Sequence, residues 1–279
     1  MLYSTILRLK ALREVAVPAA AGYQAYAMTL NLLAGSSPAL ADALHGDASV
    51  KPITVSPLQG GFPRKSGDIH LQEGTPCWIR ITCLDDATFC ALADAVLRLL
   101  PEHTLDLAGC PVAVQSLDTV PGGDPLVDCT TFEALLDDAR PEAEFVLAFL
   151  SPTVFRSKGR RNVLFPEPQL AFGSLLARWN ALAAHKLSLT PEQLPSLLRM
   201  GAYRLSTRLL NFGGYQESGF TGRCAYRVTD GQGQEEARLL NALASFALFS
   251  GVGAKTTMGM GQCRRSTNAS PLFDGARGR

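Results

Sequence analysis

The chain has 279 residues, 47% hydrophobic and 18% charged, which excludes a mostly disordered polypeptide and allows one large domain or two ordinary ones, each with its own core. A formal net charge of +1 hides a segregation: residues 1–84 hold 7 basic and 5 acidic residues, 85–145 hold 2 and 13, and 146–279 hold 17 and 7. No apolar run nears the ~20 residues that span a bilayer, and Arg8 and Lys10 interrupt the opening MLYSTILRLKALREV where a secretory leader needs an apolar core, so a cytoplasmic protein with no membrane partner is expected.

In chain order, YSTILRLKAL reads as a strand, and GYQAYAMTLNLLAGSSPALADALHG as helix, Ser-Ser-Pro break and helix, with Gly46 as its C-cap. KPITVSPLQ is a β-branched strand, and DIHLQEGTPCWIRITCL reads as a hairpin turning at Glu73 to Pro76. DDATFCALADAVLRLL is an amphipathic helix opening on acidic residues, and CPVAVQSLDTV is a last strand. That order is β-α-β-β-α-β. After a stretch rich in Pro, Gly and acidic residues the order recurs: EFVLAFLSPTVF as strand, LAFGSLLARWNALAAH as helix, AYRLSTRLLNFGGYQESGFTGRCAYRV as a strand pair, then a helix at 235 to 249 and a glycine-rich loop. The expectation is an α+β protein of two tandem ferredoxin-like (RRM-like) domains, 1–120 and 143–279, joined by an acidic linker at 121–142.

The loop, in LFSGVGAKTTMGMGQCRR, holds Gly251, Gly253, Gly259 and Gly261 around Lys255. It is not a Walker A loop, since Ala254 precedes Lys255 where that motif needs glycine. It is not a dinucleotide fingerprint either, because Thr256 stands where the third glycine belongs. It also leaves a helix instead of entering one. Glycines at this density point to close backbone approach; a plain helix stop and turn is the alternative. Cys77, Cys83, Cys90, Cys110, Cys129, Cys224 and Cys263 form no C-x-x-C pair and read as buried reduced thiols; no metal or cofactor is called for. The paired acids Asp85–Asp86, Asp137–Asp138 and Glu235–Glu236 read as helix starts or surface charge.

The residues as a set resemble the CRISPR-associated repeat-processing endoribonucleases of the repeat-associated mysterious protein superfamily. GVGAKTTMGMG is similar to their glycine-rich signature. LSPTVFRSKGRRNVLFPEPQLAFGSLLARWN shares their Ser-Pro-Thr, basic loop, Phe-Pro and helix ending Arg-Trp-Asn, and SPALADALHGDASVKPITVSPL their Leu-His, Lys-Pro and Ser-Pro. The resemblance runs in order through nearly the whole chain. It implies two ferredoxin-like domains, CRISPR repeat RNA as partner with room for other CRISPR effector subunits, and metal-independent cleavage within each repeat. It places the catalytic histidine at His45 and its basic partner at Lys51. A family tyrosine from the preceding helix falls on or near Leu30 here, with Tyr26 or Tyr23 as substitutes.

Such cleavage uses the RNA's own 2′-hydroxyl as nucleophile, so the protein supplies geometry, proton transfer and charge. An imidazole suits the proton transfers, and a helix C-terminus favours its charged form. Lys51 then offsets charge on the phosphoryl oxygens; the alternative for His45 is a surface cap residue. Arg156, Lys158, Arg160 and Arg161 crowd FRSKGRR as a phosphate grip. The glycines let RNA backbone approach main-chain N–H groups, with Lys255 adding charge and Arg264 and Arg265 following. Arg199, Arg204 and Arg208 extend the track, and Phe212, Tyr215 and Phe220 are offered as base-stacking platforms. A non-catalytic RNA-binding subunit of the same superfamily and a small-molecule phosphate-binding enzyme are the rival readings.

Overall fold

The computed structural model describes residues 1–18, 20–46, 50–65, 68–99, 103–157, 161–212, 215–231 and 233–266, without the side chains of residues 64 and 65. Packing divides the chain into two units: residues 1–130 with 209–217 and 255–260, and residues 131–208 with 218–254 and the described residues from 261 on.

The spine of the first unit is Leu2–Ala11. Its alternate residues Leu7, Leu9 and Ala11 are at most 1% exposed, as a strand with one face under helices requires. Pro76–Cys83 pairs with it antiparallel, from Tyr3 opposite Cys83 to Lys10 opposite Pro76. The sheet order is Ile53–Val55, Pro76–Cys83, Leu2–Ala11, Cys110–Asp118, with Leu105–Leu107 at the edge and Asp128–Thr130 also paired to Leu2–Ser4. Numbered along the chain, the first four run second, third, first, fourth, the expected ferredoxin-like topology. Gly22–Ala34 and Pro38–His45 make the first crossover and Asp86–Leu97 the second. Asp85 caps the last of these by accepting the Thr88 N–H at 2.7 Å, which satisfies one of the helix's open donors. Leu32, Leu33, Ile79, Ile81 and Leu92 from these helices and strands meet in one apolar cluster.

One strand pairing differs from expectation. The chain does turn at Gln72–Thr75, but Asp68–Leu71 does not pair with Pro76–Cys83. It joins Val15–Pro18 and Arg64–Lys65 in a separate sheet. Alternation marks a strand without naming its partner, and here Ile69 and Leu71, both 0% exposed, are buried from that second sheet. Residues 121–142 carry the strand Asp128–Thr130 and the helix Phe132–Asp137.

The second unit repeats the topology: Leu198–Asn211, Gln216–Val228, Glu144–Thr153, Cys263–Ser266. Pro168–Leu182 begins at a proline, tolerated in the first turn where the missing N–H has no partner. Its Phe172 and Trp179 pack through aromatic contacts with Tyr226 at 5.1 Å and Phe246 at 5.2 Å. Tyr226 is wholly buried and its hydroxyl donates to the Pro166 carbonyl at 2.7 Å. Of the cysteines, all free, Cys77, Cys83, Cys110, Cys224 and Cys263 are buried, Cys129 is half-buried and Cys90 is exposed. Burial pushes the Cys77 thiol up to about 11 and Cys224 up to about 12. Among the described residues no helix is long and apolar enough to cross a membrane.

Candidate functional site

Helix Pro38–His45 buries Ala41 and Leu44 and ends on His45, which is exposed. Gly46 closes it, donating its N–H to the Asp42 carbonyl at 3.0 Å. Tyr26 lies beneath this end, only 4% exposed. Its hydroxyl donates to the Leu44 carbonyl at 2.6 Å and accepts from Lys51 Nζ at 3.3 Å, and Nζ stands 5.4 Å from the Tyr26 ring centroid. One phenol therefore fastens the residue before His45 to the side chain of Lys51. Burial pushes that phenol up to about 12, so it stays neutral at physiological pH. Tyr23 is 48% exposed, and Leu30 packs against the core. The other histidines stand elsewhere: His70 in the strand Asp68–Leu71, His103 and His185 exposed in connections.

The glycine-rich loop contrasts with this. Gly251, Gly253, Gly259 and Gly261 all have positive φ, between 63° and 85°, the region L side chains avoid. Within the first unit, Gly259 lies against helix Gly22–Ala34 so closely that a Cβ on Gly22 would sit 2.3 Å from the Met258 carbonyl oxygen. The Gly259 N–H donates to the Val55 carbonyl at 3.0 Å. Within the second unit, the Gly251 N–H donates to Ala247, that of Gly261 to Pro152, and that of Gly253 to Ser174 Oγ at 3.1 Å. The N–H groups of all four glycines are thus spent inside the fold. The close approach seen at Gly259 is of protein to protein.

Lys255 has protein partners as well. It adopts a left-handed conformation, φ 58°, and pairs with Glu217, their side chains 13% and 7% exposed. Nζ also donates to the Tyr215 hydroxyl at 3.2 Å and stands 4.3 Å and 5.0 Å from the ring centroids of Tyr215 and Phe212. Those rings stack in parallel, 5.2 Å apart and 6° from coplanar, and Tyr215 is 49% exposed. Phe220 is no platform: it is 1% exposed and packs edge-on to Phe149 in the second unit's core.

Sequence reasoning missed two groups. Ser174 and Arg178, one turn apart on Pro168–Leu182, grip both polar groups of Gly253. Arg178 donates to the carbonyls of Ser250 at 2.7 Å and Gly253 at 2.9 Å. Burial pushes the guanidinium down to about 10, leaving it charged at neutral pH. The i, i+4 spacing in SLLAR was visible, its target was not. The second group is Glu217, paired across 38 positions with Lys255, a contact no local pattern announces.

Of the basic residues, Arg156 is exposed on the short antiparallel pair Phe155–Arg156 and Asn162–Val163, and Arg161 is exposed just before its second strand; Lys158 and Arg160 lie outside the described residues. Arg264 and Arg265 alternate across Cys263–Ser266. Arg265 is bound to Glu142 and to Asn241 Oδ1, each at 2.7 Å. Arg264, opposite Ala148, has its Nε buried without a hydrogen-bond partner among the described residues. Arg199, Arg204 and Arg208 are exposed along Leu198–Asn211.

Comparison with known proteins agrees with this architecture. Residues 1–137 match the model of the CRISPR Cas6 N-terminal domain, and residues 147–263 that of the CRISPR-associated endoribonuclease Cas6. The CRISPR-associated endoribonuclease Cas6 of Mycobacterium tuberculosis is 34% identical over 135 residues, which is 45% of this chain and 40% of that protein. The alignment thus spans less than half of that relative. The solved Cas6 (TTHB231) product complex matches with TM-score 0.79 at 30% identity, covering 95% of this chain and 99% of that one. Thermus thermophilus Cas6 (TTHB231) matches with TM-score 0.73 at 28% identity, covering 95% and 98%. With the sheet order of both units and matches along nearly its whole length, the chain belongs to the family of CRISPR-associated Cas6 endoribonucleases.

Proposed function

We propose that this chain cleaves CRISPR repeat RNA within each repeat, without a metal ion. The 2′-hydroxyl beside the scissile phosphate gives its proton to water and attacks phosphorus, the bond to the 5′-oxygen breaks, and the products carry a 2′,3′-cyclic phosphate and a 5′-hydroxyl. The supporting observation is His45: an exposed imidazole at a helix end whose backbone is locked from beneath, next to a lysine held by the same anchor. A fixed, solvent-facing imidazole can reach a substrate oxygen and move a proton. We assign it the proton given to the departing 5′-oxygen. Lys51 offsets the charge gathering on the phosphoryl oxygens.

Tyr26 has a different part. Its hydroxyl is engaged both as donor and as acceptor, and its burial favours the neutral phenol, so it positions His45 and Lys51 without itself exchanging protons. Arg156 and Arg161, with Lys158 and Arg160 between them in sequence, supply phosphate contacts that raise affinity and make it salt-dependent.

The test uses labelled repeat RNA and excess protein in EDTA. Cleavage should persist and leave a cyclic phosphate, and RNA with a single 2′-deoxynucleotide just 5′ of the cut should bind yet stay intact. Cleavage of the deoxy substrate, or activity lost in EDTA and restored by a divalent cation, contradicts the mechanism. Binding without any cleavage favours the non-catalytic subunit.

A further inference from the structure

In the first unit, Phe212 and Tyr215 form an aromatic pair with more support than an exposed side chain ordinarily has. Phe212 and Tyr215 stack 6° from coplanar. Lys255 donates to the Tyr215 hydroxyl and stands within 5.0 Å of both ring centroids, and Glu217 holds that ammonium in turn. The hydroxyl and the ammonium both have partners, while Tyr215 remains 49% exposed. Fixing two rings before a ligand arrives lowers the ordering cost of stacking.

We infer that the Phe212–Tyr215 pair is a stacking site for one unpaired base of the repeat RNA. The inference rests on the RNA reading above and adds to it a residue that selects where the strand is held. Size decides the occupant. Asn211 and Gln216, exposed and polar, flank the rings, so polar residues interrupt the apolar surface on both adjoining strands. A stable protein interface needs on the order of 1,000 Å², whereas one nucleobase covers one ring, and base-on-aromatic stacking tolerates any base. Continuity with the candidate catalytic corner supports the same occupant. The turn Thr256–Met258 that follows Lys255 leads to Gly259, which packs on Gly22 at the start of the helix carrying Tyr26.

The experiment places 2-aminopurine, in turn, at each unpaired position of the repeat RNA and titrates wild-type protein, Tyr215→Leu and Tyr215→Trp. At one position, fluorescence should be quenched on binding to wild type and to Tyr215→Trp but not to Tyr215→Leu. Tyr215→Leu should weaken binding roughly 5- to 50-fold. An abasic nucleotide at that position should cost wild type the same factor and cost Tyr215→Leu nothing further. Unchanged thermal unfolding of the variants separates this from a folding defect. Tight binding with no quenched position, quenching that survives in Tyr215→Leu, or equal affinities would overturn the inference and leave the catalytic reading standing. Undiminished cleavage by a His45→Ala protein would do the reverse.

Discussion

The end of helix Pro38–His45 and the bend at Lys255–Met260 belong to the same unit and differ in what they leave available to a ligand. At the helix end the supporting groups are buried and the chemical group is not: Tyr26 consumes the backbone and Lys51 contacts, and His45 stays exposed. At the bend the reverse holds. The Gly259 N–H is bound, Lys255 is paired, and the glycine serves close packing on Gly22. The denser motif spends its groups inside the fold, and the lone histidine, to which we assign the chemistry, leaves its side chain open. Glycine patterns report backbone geometry, which structure and binding both need, whereas an exposed, anchored imidazole costs order with no packing in return.

The largest effect expected from breaking this contrast is at Lys255. Lys255→Met removes the ammonium paired with the buried Glu217 carboxylate, so denaturant unfolding should show a loss of ~3–5 kcal/mol, and Lys255→Met with Glu217→Gln should recover most of it. If Lys255 served RNA instead, the single variant would stay stable and bind RNA more weakly with a shallower salt dependence. Next is Gly22→Ala, whose methyl would collide with the Met258 carbonyl. It should cost ~2–3 kcal/mol in the same assay, as overpacking does, and a stability equal to wild type would deny the close approach. The smallest effect is at the exposed basic pair. Arg156→Ala and Arg161→Ala should each weaken repeat RNA binding a few-fold and lower the slope of log affinity against log salt by about 1. Unchanged slopes would remove the hairpin from the interface.

Much of the architecture was legible because burial writes a period into a strand or helix: Leu7, Leu9 and Ala11 mark the central strand, and Phe172 and Trp179 the packed helix face. Partner choice was not legible, since Ile69 and Leu71 alternate equally well for either neighbour; the assignment of Asp68–Leu71 to a second sheet depends on Val15–Pro18, fifty residues earlier. At the candidate site, the resemblance pointed to His45 and Lys51, with Tyr26 as a substitute, but how the three contact one another depends on burial. A tyrosine in AGYQAYAM does not say that its hydroxyl reaches Leu44. Lys255 read only as charge added beside the glycines, because its acid, Glu217, lies outside any local window. Phe220 read as a platform because strand alternation alone does not say which face is covered.

The central claim, that His45 carries the chemistry while the glycine-rich bend is structural, is tested most directly by single-turnover cleavage of repeat RNA with saturating His45→Ala protein, its RNA affinity measured in parallel. The account predicts cleavage slowed by about 10²- to 10⁴-fold, the range of a lost general acid or base, with affinity unchanged. Cleavage at the wild-type rate by a fully folded His45→Ala protein would contradict it.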